Sequence, residues 1–415
     1  MKKKFDLVVI GGGRVGLPLA ALMASKGLRV AVKEKDKNII KSIILKKSPF
    51  KERGLNSLLK KTNIKCFNKN IPKSNCYLIT VGTPLRQNIE TDLSQITDVI
   101  DEIINSKNVK NSLFILRSTI APYTSKFISE YIEKMTKLES GKDFFLSYCP
   151  ERIVEGEAIK ELSELPQIIG VNENQAWIRS KNIFRNILEG KKILKSTWKE
   201  AELSKLFTNI YRYINFAIPN YFMMIANHFD VEPFNLFDLM RFEYERNKGL
   251  KNPGLTAGTC LRKDYGMISE NFPHTDLILQ AHKVNEFMPM FIINLIKNLN
   301  IKNKKIGIMG YTFKKDSDDV RDSLTPKIYR YINKLVPKKV NISDYNLPTG
   351  SYNDINNKMR FKNFTEKDLI KQSDIIVIAT NHSNYEDILR KNNLSKKIII
   401  DPWRVLGGKL IYKLN

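Results

Sequence analysis

The chain has 415 residues, 42% of them hydrophobic, and a formal net charge of +26. At roughly 150 residues per domain this predicts two or three domains with a sizeable core and excludes disorder as the main state. No run reaches the roughly 18 apolar residues of a spanning helix, and the positive charge is spread along the chain without a basic tail or recognition module, so a cytoplasmic protein with no membrane and no nucleic-acid partner is expected.

Residues 5–10 are a short continuous apolar run, as a strand covered on both faces requires. The run leads into Gly11, Gly12, Gly13, Arg14, Val15 and Gly16, then a helix-like segment at 17–24. Gly11, Gly13 and Gly16 have the spacing of a dinucleotide turn, in which backbone N–H groups approach a pyrophosphate and Arg14 and Val15 complete the loop. A second strand-like run, 28–34, ends at Glu34, 18 residues after Gly16. An acid there bonds the ribose hydroxyls of NAD and repels the extra phosphate of NADP, although the flanking Lys33 and Lys35 leave NADP open.

Further strands are expected at 76–81, 112–116 and 143–147. They end in Gly82, Thr83 and Pro84; in Arg117, Ser118 and Thr119; and in Cys149, Pro150, Glu151 and Arg152. These loops should line one crevice outside the carboxyl ends of a parallel sheet. Residues 197–230 carry a long helical pattern that Pro219 should kink or break, with Lys205, Asn209 and Arg212 sharing one face. A second βα pattern follows at 305–310, 374–380 and 397–401, with only Gly307 and Gly310 near its first turn, so it should not hold the same cofactor.

The expected fold is α/β: two Rossmann-like doubly wound domains, 1–196 and 299–415, joined by a long central helix within a helical middle domain, 197–298. In the middle part a Gly-containing loop leads to Cys260, with Asp264 four residues on. A helix beginning near Thr259 places Cys260 in its first turn, which favours the thiolate, and Asp264 on the same face. Cys66, Cys76 and Cys149 read as structural, Trp198 and Trp403 as packing at domain junctions. His228, His274, His282 and His382 show no metal spacing, so no metal is expected.

These motifs, in this order over nearly the whole chain, resemble the nucleotide-sugar 6-dehydrogenases, the family of UDP-glucose, UDP-N-acetylmannosamine and GDP-mannose dehydrogenases. The resemblance rests on the dinucleotide turn with Glu34, Val81 to Pro84, Ser118 and Thr119, Cys149 to Gly156, Ala201 to Asn209, the Cys260 loop, Tyr311 to Lys314 and Asp319 to Ser323. It implies a four-electron oxidation of the sugar C6 hydroxyl to a carboxylate with two NAD reduced per turnover, in a homodimer or larger assembly that supplies uronic acids for polysaccharide. Cys260 would form a thiohemiacetal and then a thioester.

By the same resemblance Lys205 and Asn209 stabilise oxyanions, Asp264 positions or activates water, and Glu151 and Thr119 hold water, with Glu155 a weaker candidate. The substrate would meet Glu151, Arg152, Ile153, Val154, Lys205, Asn209, Arg212, Gly258, Lys314 and Arg321. The sequence departs from the family pattern at Ala257 before Gly258, at Thr259 before the cysteine, and at the pair Leu261 and Arg262 after it. Tyr211 and Arg212 beside Asn209 look like the N-acetylhexosamine branch. A two-electron hydroxy-acid dehydrogenase and a non-catalytic nucleotide-binding protein are the alternatives.

Overall fold

The computed structural model describes residues 5–86, 90–188, 190–256 and 258–414; of Thr259 and Cys260 it describes the backbone. In chain order the first sheet and its helices are β1 (Leu7–Ile10), α1 (Gly16–Ser25), β2 (Val30–Lys33), α2 (Lys37–Ile44), α3 (Leu55–Lys61), β3 (Lys65–Phe67), β4 (Cys76–Ile79), α4 (Ser94–Asn105), β5 (Leu113–Leu116), α5 (Thr124–Thr136), β6 (Phe145–Tyr148), α6 (Ala158–Glu164), β7 (Gln167–Gly170), α7 (Asn174–Phe184) and β8 (Ile193–Ser196). Four helices follow: α8 (Trp198–His228), α9 (Pro233–Arg241), α10 (Thr259–Ser269) and α11 (Asp276–Lys297). The last part is β9 (Lys305–Met309), α12 (Thr325–Lys334), β10 (Lys339–Ser343), β11 (Gly350–Asp354), β12 (Met359–Phe364), α13 (Glu366–Gln372), β13 (Ile375–Ile378), α14 (Tyr385–Arg390), β14 (Ile398–Ile400) and β15 (Ile411–Lys413).

Two parallel-dominated sheets result, as the patterning of the sequence predicts. The first has strand order β3-β2-β1-β4-β5-β6-β7-β8, with only the β6–β7 pair antiparallel. Its central strands β1, β4, β5 and β6 are buried at every position, which is why they read as unbroken apolar runs. The second has the order β11-β12-β10-β9-β13-β14-β15, with antiparallel pairs at both edges. In each sheet the order reverses beside its first strand, at β1/β4 and at β9/β13, where open α/β sheets place their ligands.

The chain divides into two compact units: residues 1–208 with 263–274, and residues 209–262 with 275–415. Helices α8 and α10 each contribute to both.

Where the sequence predicts a kink or break at Pro219, helix α8 continues through the proline without a break. Pro219 is buried, and the side-chain amides beside it tie α8 to α11: Asn220 Nδ2 donates to Asn285 Oδ1 at 2.9 Å, and Asn285 Nδ2 donates to the Tyr213 carbonyl at 3.1 Å. These tertiary bonds offset the backbone bond that proline removes.

Candidate active site

The glycine turn of the first unit has the shape its spacing predicts. Gly11 has φ +100°, and a Cβ on Gly16 would stand 1.9 Å from the Gly11 carbonyl oxygen, so neither position accepts a side chain. A Cβ on Gly13, by contrast, would meet nothing within 4 Å. Helix α1 starts at Gly16 without a side-chain cap and without an acid in its first turn. Its N-terminal N–H groups and positive dipole end are therefore left for an anion.

Glu34 follows β2 directly and accepts from the Gly12 N–H at 2.6 Å through Oε2, and from Lys35 and Asp36 N–H through Oε1. These bonds fix the carboxylate at the strand end and leave acceptor capacity on Oε2 for a ligand hydroxyl. Lys33 does not reach over this position. It is buried, with Nζ 2.6 Å from the Lys69 carbonyl and 3.1 Å from Glu102 Oε1, so it offers no charge to a 2′-phosphate. The open Gly13, the uncapped helix and the anchored acid together fit NAD.

The loops after β4, β5 and β6 meet as expected. Thr83 Oγ1 donates to the Thr119 carbonyl, Lys263 Nζ donates to Thr83 Oγ1 at 2.9 Å, and Ser118 Oγ donates to the Val81 carbonyl at 2.6 Å. Gly82 and Pro84 flank Thr83 on the first of these loops. Arg117, named in the sequence only as the start of the loop after β5, is 2% exposed and crosses to the next loop, donating to the Cys149 carbonyl at 3.1 Å and to Gln167 Oε1 at 3.0 Å.

The 149–156 loop is pinned by carboxylates. Glu151 accepts from the Ile153 N–H, Glu161 from the Val154 N–H, and Glu52 from the Gly156 and Ala158 N–H groups, while Arg152 donates to the Pro166 carbonyl. Glu155 turns toward the glycine turn, 3.9 Å from Arg14 Nε.

Lys205 on α8 places Nζ 3.7 Å from Glu151 Oε2, and both side chains are nearly buried. Asn209, one turn further, is 3% exposed, whereas Arg212 is exposed, so the polar face of α8 is buried over its first two members only. Glu202 on the same helix is fully buried and caps α5, accepting from Tyr123 and Ser125 N–H at 2.8 Å each. Burial pushes its carboxyl above the usual range despite those bonds.

Helix α10 begins at Thr259, as expected, which puts Cys260 in its first turn, and Asp264 one turn on is fully buried. The side chains of Cys260 and Thr259, and Ala257 altogether, lie outside the described residues. Cys149 and Cys76 are buried in the core of the first unit, where burial raises both thiols, Cys149 to about 12; neither suits a nucleophile.

In the second unit the loop before α10 meets the 311–323 segment. Gly258 has φ +101° and lies against the Phe313 ring, where a Cβ would come within 2.6 Å. Arg262 binds Asp322 Oδ1 at 3.2 Å and Glu286 Oε1 at 2.8 Å, so the departure at this position ties α10 to α11 and to the 311–323 loop. Arg321 is held by Asp319, from Nε and from Nη2 at 2.6 Å, and its guanidinium stays about half exposed. Lys314 lies two residues before Asp316 on the same segment.

Gly254 gives its N–H to Asn220 Oδ1 at 2.8 Å and packs on the Trp403 ring. Trp198 is a core residue of the first unit, with Nε1 on the Leu146 carbonyl at 3.3 Å. His382 and His282 are internal: His382 bonds Asp344 at 3.1 Å, and His282 bonds the Tyr213 hydroxyl at 3.1 Å. No cluster of metal-ligating side chains and no helix able to cross a membrane occurs among the described residues.

Three family models of the UDP-glucose/GDP-mannose dehydrogenase family match: the NAD binding domain over residues 5–188, the central domain over 199–287 and the UDP binding domain over 307–408. A UDP-N-acetyl-D-mannosamine dehydrogenase of Methanococcus vannielii is 30% identical over 97% of this chain and 94% of its own length. The structure of a UDP-D-ManNAc dehydrogenase from Pyrococcus horikoshii superposes with a TM-score of 0.79 at 26% identity, covering 92% of this chain and 90% of that one. The UDP-N-acetyl-mannosamine dehydrogenase Cap5O of Staphylococcus aureus gives a TM-score of 0.79 at 25% identity, covering 94% and 91%. The chain belongs to the UDP-glucose/GDP-mannose dehydrogenase family and is an NAD-dependent oxidoreductase of nucleotide sugars.

Proposed function

We propose that the chain oxidises the C6 hydroxyl of UDP-N-acetyl-D-mannosamine, or a close UDP-N-acetylhexosamine, to the carboxylate. The observation that carries the chemistry is the pairing on two helices: α8 buries Lys205 and Asn209 one turn apart, and α10 starts with Cys260 in its first turn and buries Asp264 one turn on. The substrate assignment draws on the relatives named above.

Gly11 to Gly16, Glu34, the 82–84 loop, Ser118 and Thr119 would hold NAD, whose chemistry is acceptance of a hydride from C6 at each of two oxidations. In the first, the C6 hydroxyl gives its proton to water held by the Glu151 carboxylate, the Lys205 ammonium beside it stabilises the alkoxide, and an aldehyde forms as the hydride leaves C6. The Cys260 thiolate then adds to the carbonyl carbon, forming a C–S bond, and Lys205 with the Asn209 amide stabilises the oxyanion of the thiohemiacetal. The oxyanion then collapses to a carbonyl as C6 gives up the second hydride, leaving a thioester. Water held by Asp264, Glu151 and Thr119 cleaves the C–S bond, giving the carboxylate, one proton and the free thiol.

Arg152, Ile153, Val154, Gly258, Lys314 and Arg321 are assigned to the nucleotide sugar, with Arg321 already oriented by Asp319 for an anionic group. Arg212 is exposed on α8 beside a stripe of exposed Phe207, Tyr211, Ile218, Tyr221 and Ile225, which supports a homodimer built on this helix.

The test is the NADH yield per sugar with a panel of UDP- and GDP-sugars. Two NADH per UDP-N-acetylmannosamine are expected, falling at least a thousandfold in rate for Cys260→Ala. One NADH with a ketone or aldehyde product, or no preference for the N-acetyl sugar, overturns the reading.

A further inference from the structure

Between β9 and α12, Asp316 has φ +54°, in the left-handed region that residues other than glycine enter only against steric strain. It stands two residues after Lys314, one of the positions assigned above to the nucleotide sugar. A strained backbone persists where its surroundings hold it, and here the holding groups are explicit. The Asp316 N–H donates to His382 Nδ1 at 2.9 Å. Its Oδ1 accepts from the Ser383 N–H at 3.0 Å and from the Tyr345 hydroxyl at 2.7 Å, and its Oδ2 accepts from the Ser383 hydroxyl.

Residues 316 and 382–383 thus clasp each other, N–H to ring nitrogen in one direction and N–H to carboxylate in the other. The other end of the segment is fixed as well, since the Tyr311 and Thr312 N–H groups donate to Asp344 Oδ2 at 2.8 and 2.9 Å. Lys314 therefore lies at the centre of a span pinned at 312 and at 316.

His382 serves both pins. A backbone N–H can only donate, so Nδ1 is the accepting nitrogen and the ring proton belongs on Nε2, 3.1 Å from Asp344 Oδ2. The imidazole is fully buried and is held between the rings of Tyr345 and Tyr385, with centroids 5.0 and 4.9 Å away. Its two bonds differ in what they reach: Nε2 meets a fully buried carboxylate, whereas Nδ1 meets the strained, partly exposed residue beside Lys314.

We propose that His382 is a positioning residue for nucleotide-sugar binding: Nδ1 holds Asp316 in its left-handed conformation and so fixes the turn that carries Lys314, while Nε2 serves the fold through Asp344. Without the Nδ1 acceptor, Asp316 relaxes toward negative φ, and the rotation redirects the chain two residues from Lys314. This rests on the role proposed above for Lys314.

Two substitutions separate the nitrogens, because an asparagine amide can take the place of Nδ1 and a glutamine amide the place of Nε2. His382→Gln keeps a donor for Asp344 and removes the acceptor of the Asp316 N–H; His382→Asn does the reverse. With the nucleotide sugar that the wild type oxidises best, His382→Gln should raise KM for the sugar about tenfold, with kcat and KM for NAD within about twofold. The Kd for UDP alone, by calorimetric titration, should rise by the same factor. His382→Asn should keep both constants near the wild type's although its melting temperature is the lower of the two. Asp316→Ala, at the exposed end of the clasp, should raise the same KM and Kd, and it carries the test if His382→Gln does not fold.

A wild-type KM for sugar and Kd for UDP in His382→Gln or, where that variant does not fold, in Asp316→Ala overturns the proposal. So does an equal rise in His382→Gln and His382→Asn, or a loss confined to kcat, because neither depends on the Nδ1 acceptor. The NADH yield of the wild type tests the proposed function separately, and the UDP titration reads the clasp whatever that yield is.

Discussion

The two sheets carry the same first turn in two states. In each, an acid follows the second strand and accepts N–H groups from the turn after the first: Glu34 takes the Gly12 N–H, and Asp344 takes those of Tyr311 and Thr312 at 2.8 and 2.9 Å. The difference lies in what else each acid meets. Glu34 is partly exposed beside an open glycine, and α1 begins at Gly16. Asp344 is fully buried, bonded by His382 and by the Thr312 hydroxyl, and the next helix begins only at Thr325. The first turn keeps a partly exposed acid with an acceptor site left and an uncapped helix N-terminus, whereas the acid of the second is buried and spent on the fold. Topology alone therefore does not make a dinucleotide site; a solvent-accessible acid and a helix N-terminus directly behind the glycines do.

The largest effect expected from breaking this contrast is at Gly16. Gly16→Val drives a side chain into the Gly11 carbonyl, and NAD affinity should fall at least a hundredfold by calorimetric titration. Retained affinity would mean that the turn is not the site.

Next is Asp344→Asn. Burial raises the Asp344 carboxyl, but the His382 hydrogen bond and charge and the turn N–H groups outweigh it and hold it below the usual value. A depressed carboxyl contributes stability above its unfolded pKa that is lost as pH falls through the lower folded one. Asp344→Asn should therefore cost about 2–4 kcal/mol at neutral pH, read by denaturant unfolding, and flatten the loss of stability on acidification. NAD affinity should not change; a parallel loss of NAD would erase the distinction between the turns.

The smallest effect is at Glu34. Glu34→Ala should weaken NAD about tenfold, corresponding to one charged hydrogen-bond set, and narrow the preference over NADP while unfolding stability stays near wild type. An unfolding loss larger than the binding loss would place Glu34 with Asp344 as a structural acid.

Legibility from sequence followed burial. Strands covered on both faces, such as β1 and β13, stood out as apolar runs, and the glycine spacing announced its own turn. Strands β8 and β11, exposed at alternate or outer positions, left no such run and were not read. Arg117, Glu202 and Asp319 lie in segments singled out in the sequence, but their roles could not be read there, for a related reason. A lone charged residue carries no periodic signal, and its role exists only through partners far along the chain: Gln167, Ser125 with Tyr123, and the guanidinium of Arg321. At Pro219 the local signal allows a break, and α8 continues through it, tied to α11 by the Asn220 and Asn285 amides.

What the sequence determined by itself is whatever depends on neighbours within a few residues: the glycine turn, Glu34 at a strand end, Cys260 and Asp264 one helical turn apart, and two α/β patterns flanking a long helix. Only the tertiary structure decided which charges are spent and which remain. It removed Lys33 from the nucleotide side of β2, buried Asp344 against His382, and oriented Arg321 with Asp319. Local geometry is encoded by backbone sterics and side-chain periodicity, but the availability of a polar group depends on every element packed around it.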